Sequence, residues 1–127
     1  MEPAWKMMLS NKGMMVLLWE MFPEHPNLLP SYFDYKKLQG DFVKKPISGR
    51  GGVKITIHNS DNVDDIFDES DHRIYMYQQI LKPANFANNF PVIGSWIING
   101  QASGIGMRED ITPISNWDSR FVPHFYD

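Results

Sequence analysis

Cysteine is missing from all 127 residues, so no disulfide can staple this fold and no thiolate can act as a metal ligand or nucleophile. Long apolar runs are missing too. The longest, Met14 to Trp19, falls far short of the roughly 20 residues that a bilayer span needs. Nor is there an excess of positive charge. Lysine and arginine number 12 against 15 aspartates and glutamates, a net charge of −3, which gives no electrostatic reason to expect nucleic acid or an anionic membrane as partner.

Several chemical signatures are absent as well. His25, His58, His72 and His124 lie far apart and form no His-x-x-x-His pair, so no metal site is expected from them. Ser48 and Ser103 sit among glycines but outside any Gly-x-Ser-x-Gly elbow, which leaves nucleophilic hydrolysis with little support. The Gly-x-x-x-x-Gly-Lys-Ser/Thr order of a Walker loop does not occur, and there is no internal repeat or low-complexity stretch. Met1 to Ser10 lacks the basic, apolar and small-residue order of a signal peptide, and together with the lack of cysteine this reads as a cytoplasmic chain.

What is present is apolar material for one compact core, 43% hydrophobic and 13% aromatic, so residues 1–127 are expected to form a single partial domain. Ser10 followed by Asn11 to Phe22 predicts a capped helix that Pro23 and Pro26 stop. That helix is apolar on nearly every side, the mark of a buried helix or of one lacking a neighbour. Residues 27–40 read as loop, with Tyr32, Phe33 and Tyr35 as packing residues. Asp41 to Pro46 and Val53 to His58 predict an antiparallel pair joined by a glycine-rich tip, Ile47 to Gly52. Asn59 to Ser70, with five acidic residues, reads as a solvated loop or short helix before a strand over 73–80. Asn99-Gly100 between Phe90 to Ile98 and Gln101 to Met107 predicts a hairpin, because both turn positions tolerate positive φ. The fold class that follows is α+β, an antiparallel sheet with flanking helices.

Two segments carry candidate chemistry. Lys44-Lys45-Pro46-Ile47-Ser48-Gly49-Arg50-Gly51-Gly52 could wrap a polyphosphate, with the glycines letting backbone N–H groups approach and lysine and arginine supplying charge. It could equally be a solvated hairpin tip. Gly104-Ile105-Gly106-Met107-Arg108-Glu109-Asp110 places an arginine at a strand end, where it could do no more than pair with Glu109 or Asp110 at the surface.

Trp5 with Leu9-Ser10-Asn11-Lys12, then Leu18-Trp19-Glu20-Met21-Phe22-Pro23-Glu24-His25-Pro26-Asn27-Leu28-Leu29-Pro30, resemble the glutathionylspermidine synthase family. The same order continues through Val43 to Gly52, Tyr77-Gln78-Gln79, Pro91-Val92-Ile93-Gly94-Ser95-Trp96, Gly104 to Asp110, and Ser119-Arg120-Phe121-Val122-Pro123-His124. The resemblance covers nearly the whole chain and is closest to the stand-alone acid–amine ligase branch. It implies the C-terminal lobe of an ATP-grasp ligase, in which ATP phosphorylates a carboxylate and an amine attacks the acyl phosphate. On that resemblance Lys12 and Lys45 contact the nucleotide phosphates, and Gly49, Arg50 and Gly51 belong to the mobile loop over them. Gln78, Gln79, Ile80 and Leu81 border the adenine, Ile114 completes that pocket, and Arg108 faces the transferred phosphoryl group as the catalytic residue. Val92 departs from the bifunctional synthase, which has a polar nucleotide contact there. The family's Mg2+ ligands, and much of its acid site, are expected upstream of Met1. The implied partners are ATP, a carboxylate and an amine, with a second ligase lobe to complete the clamp. The expected behaviour alone is weak ATP binding without turnover; the alternative is a degenerate, non-enzymatic binding or self-associating module.

Overall fold

In the computed structural model, which describes residues 3–61, 63, 66 and 68–125, the chain is α+β with two antiparallel sheets. Its contacts divide into two units, residues 1–81 and 82–127.

The first unit opens with a 3₁₀ helix, Ala4–Ser10, followed by helix α1, Gly13–Met21. The expected cap at Ser10 does not form. Ser10 Oγ donates to the Met7 carbonyl at 2.8 Å, and Asn11 Oδ1 instead accepts the Gly13 N–H at 2.8 Å, which starts α1 two residues later than a Ser10 cap would. The helix ends where the prolines require: Phe22 N–H still reaches the Leu18 carbonyl, and Pro23 cannot extend the ladder. Gly13 and Val16 are buried while Leu17 and Met21 face outward.

Four strands follow: β1 Ser31–Tyr32, β2 Asp41–Pro46, β3 Thr56–Asn59 and β4 Tyr75–Gln79, in the order β1-β4-β2-β3. The β2 bounds are those expected. β3 starts three residues later than expected, because Gly49, Gly51, Gly52 and Lys54 all take positive φ and prolong the tip. β1 was hidden in what reads as loop. Pairing places Ser31 and Val43 beside Gln78, and Tyr32 and Lys44 beside Tyr77. Since paired residues share a face and neighbours alternate, one face of the sheet carries Ser31, Val43, Lys45, Met76 and Gln78, and the other carries Tyr32, Phe42, Lys44, Tyr75 and Tyr77.

The second face holds the core. Leu38, Phe42, Ile66 and Tyr77 are buried together, with Tyr32, Tyr35, Val63 and Tyr75 packed against them. Phe42, 0% exposed, stacks on Tyr35 at 6.0 Å and meets Tyr77 edge-on at 6.0 Å, so Phe42→Ala would cost roughly 3–5 kcal/mol. Ile66 is also 0% exposed, so the stretch 59–70, expected as a solvated loop or short helix, contributes one side chain to the core. Asp61, Asp68 and Glu69 do face solvent, while Asp64 and Asp65 lie outside the described residues. Lys44 on this face donates to the Ile66 carbonyl and lies 4.1 Å from the Tyr75 ring centre, which anchors the acidic stretch to the sheet.

The second unit is a sheet of β5 Phe90–Ile98, β6 Gln101–Asp110 and β7 Arg120–Val122. The hairpin forms as expected, Asn99 and Gly100 taking φ of 49° and 76°, although β6 runs on to Asp110. β7 carries no pattern of its own and is held by pairing with Met107, Arg108 and Glu109. Among the described residues no helix is long and apolar enough to cross a membrane.

Candidate functional site

The first unit brings Lys12, Lys45, Gly49 and Gln78 together. Backbone does much of the work: Lys12 N–H donates to the Ile47 carbonyl at 2.7 Å, which seats the start of α1 on the end of β2. Lys12 Nζ then donates to the Gly49 carbonyl at 2.8 Å. Lys45, one pleat from the core face, projects on the side opposite Lys44 and donates from Nζ to Gln78 Oε1 at 2.7 Å. The adjacent lysines of β2 therefore face opposite ways, Lys44 to the Ile66 carbonyl and the Tyr75 ring, Lys45 to Gln78.

Electrostatics sets this site apart. Burial pushes the Lys45 ammonium below its ordinary pKa, and the neighbouring Lys12 charge pushes it further the same way. Among the described residues no carboxylate enters as a compensating influence on Lys45, and Arg50 is exposed on the adjoining tip. Two cations that disfavour each other, one partly desolvated, form a place where an anion would be welcome. Gly49, at φ 135°, holds a conformation that a side chain would strain, and its carbonyl is the group Lys12 ties down.

The stretch expected at an adenine divides. Gln78 turns inward to Lys45, whereas Gln79 and Leu81 are exposed. The Gln79 and Ile80 N–H groups bond to the Pro30 and Asp41 carbonyls, at 2.9 and 3.3 Å.

Arg108 and Ile114 belong to the second unit. Arg108 sits between Val92 and Phe121 in the register, its guanidinium 6.0 Å from the Phe121 ring centre. With Gly94, Trp96 and Gly106 it lines an open trough of about 400 Å³. The paired glycines leave its floor without side chains. The surface ion pair with Asp110 does not form. That carboxylate, buried at the end of β6, accepts the Ser119 hydroxyl at 2.6 Å, the Thr112 N–H and hydroxyl at 3.0 Å each, and the Asn116 N–H at 3.3 Å. The Ser119 hydroxyl and then the Thr112 N–H hold its pKa down at about 2. Asp110 thus organises the loop carrying Ile114, a role that the sequence did not suggest. Among the described residues no three histidine, aspartate or glutamate side chains are grouped to hold a metal ion.

The α+β first unit thus sets Lys12 and Lys45 beside a glycine-rich tip. Residues 1–127 match the family model described as glutathionylspermidine synthase preATP-grasp, and the chain belongs to that family. The match is to the preATP-grasp part, which corrects the expected C-terminal ATP-grasp portion. A Haemophilus influenzae protein provisionally named an acid–amine ligase is 41% identical over 98% of this chain and 34% of its own length. Trypanothione synthetase of Crithidia fasciculata is 32% identical over 95% of the chain and 19% of its own length. The bifunctional glutathionylspermidine synthetase/amidase of Escherichia coli is 25% identical over 96% and 20%. The chain therefore spans about a third or less of these relatives.

Proposed function

We propose that this chain serves as the phosphate-facing part of an ATP-dependent acid–amine ligase. The observation that carries the proposal is the nearness of Lys12 to the partly buried Lys45 beside a glycine-rich tip, with Lys12 Nζ on the Gly49 carbonyl and Lys45 Nζ on Gln78 Oε1. An ammonium is a compact charge on a flexible stem, suited to following phosphate oxygens as they move. Lys12 and Lys45 would neutralise the β- and γ-phosphate oxygens, with Gly49, Arg50 and Gly51 closing over them. Gln79, Ile80 and Leu81 would border the adenine.

In the reaction, a carboxylate oxygen attacks the γ-phosphorus and ADP leaves. An amine nitrogen then attacks the acyl phosphate, and phosphate departs as the amide forms. In the second unit, Arg108 is the kind of fixed guanidinium that offsets charge developing on a phosphoryl group. The names of the relatives, acid–amine ligase, trypanothione synthetase and glutathionylspermidine synthetase, support this class of reaction. Mg2+ would enter with ATP on residues other than those described.

Calorimetry with ATP tests the proposal. The wild-type chain should bind, and Lys45→Ala should weaken binding by about tenfold or more, the loss of one hydrogen bond to a charged group. Equal binding by both proteins would sink it. The same would follow if neither bound.

A further inference from the structure

We infer that Ser31, which belongs to no motif in the sequence, is a positioning residue for Lys45 and acts through the side-chain amide of Gln78. Ser31 is 1% exposed and stands directly across the pleat from Gln78. Its hydroxyl donates to the Leu29 carbonyl at 2.8 Å and meets Gln78 Nε2 at 2.9 Å. The other end of that amide, Oε1, accepts from Lys45 Nζ at 2.7 Å.

The direction of this chain of bonds follows from proton counting. A backbone carbonyl can only accept, so the single Ser31 proton is committed to Leu29. The Ser31 oxygen is then left as an acceptor, and the Gln78 atom facing it must be the NH2 group. That choice turns Oε1 toward Lys45. The reverse orientation would set like against like at both ends, donor NH2 against donor NH3+ and acceptor oxygen against an oxygen with no proton to give. The Leu29 carbonyl thereby fixes, two residues away through Ser31, which face of a glutamine amide the lysine meets. An ammonium held by one aimed acceptor keeps its remaining protons for an incoming anion.

The reach is supplied by the sheet. Lys45 pairs with Met76, so Gln78 is its diagonal neighbour on the same face, a separation that two long side chains span. Ser31 lies on β1, the far side of β4 from β2, and so touches Lys45 only by way of Gln78.

The inference takes Lys45 as a phosphate-side cation from the proposed function, but its test reads the lysine itself, so failure to bind ATP and failure of the relay are separate results. NMR titration of the Lys45 side chain in the whole chain, without ligand, gives its midpoint. Ser31→Ala should move that midpoint to lower pH, because the ammonium loses an oriented acceptor. Ser31→Thr, which keeps the hydroxyl, should restore it. Gln78→Leu should lower it at least as far, and Ser31→Ala combined with Gln78→Leu should match Gln78→Leu alone. In the wild-type protein, NOEs should place the Gln78 amide protons beside Ser31, a result that does not depend on any variant folding. An unchanged midpoint in Ser31→Ala, additive effects in the double variant, or amide protons lying against Lys45 would each overturn the relay.

Discussion

Lys12 Nζ donates to the Gly49 carbonyl at 2.8 Å, linking the residue just before α1 to the tip of the β2–β3 hairpin across 37 positions of sequence. The same ammonium depresses the pKa of Lys45, so one side chain both fixes the tip and charges the site. Lys12→Met should therefore do two things. The tip loses one hydrogen bond, roughly 0.5–1.5 kcal/mol of local stability, and hydrogen exchange at Gly51 and Gly52 should speed up. The Lys45 titration should move to higher pH as the like charge disappears. An NMR titration reads both effects in one sample.

The pH dependence of ATP binding should follow Lys45. In the free protein its pKa lies below the ordinary 10.5, so the ammonium is disfavoured by folding at neutral pH, and that cost disappears as pH rises through the lowered pKa toward 10.5. A bound phosphate favours the ammonium. Affinity should then be highest near neutral pH and fall on the alkaline side earlier than a surface lysine would dictate. Calorimetry across pH 7 to 10 checks the sign, and a curve that rises through this range would contradict it.

Asp110 predicts an acid transition in the second unit. Its carboxyl is held at about 2 against an ordinary 3.8, so its contribution is complete above 3.8 and is lost as pH falls toward 2. Protection of the Thr112 and Asn116 amides should disappear over that interval. Asp110→Asn should remove the pH dependence and leave those amides poorly protected at neutral pH.

At the hairpin turn, Gly100 has φ 76° and open space where a Cβ would be. Backbone strain alone then sets the cost of Gly100→Ala, roughly 1–2 kcal/mol, seen as a lower denaturant midpoint with no change in the β5–β6 register.

Much of this could be read in the residues themselves. The strand over 41–46 and the Asn-Gly turn are legible because each is a local property of the chain. Lys12, Lys45, Gly49 and Gln78 were legible as a set only through the family resemblance, and the structure joins them through hydrogen bonds. Their contacts were not legible. Neighbouring Lys44 and Lys45 look alike in sequence, and only the pleat and the position of Ile66 decide which one is structural. Ser31 lay in a stretch that reads as loop, since a two-residue strand leaves no period to detect. Asp110 gave no sign because its partners, Thr112, Asn116 and Ser119, meet it only after the loop folds back. The assignment to a C-terminal portion rested on resemblance to the family's closing segments, and the family match places the chain in the preATP-grasp part instead.

The most direct test of the phosphate-site account is a two-dimensional NMR titration of the chain with ATP, followed residue by residue. The account predicts that the largest shifts fall on the side chains of Lys12 and Lys45 and on the amides of Gly49, Arg50 and Gly51, and that Lys45→Ala abolishes them. Saturable shifts confined to other residues, with Lys12 and Lys45 unmoved, would contradict it.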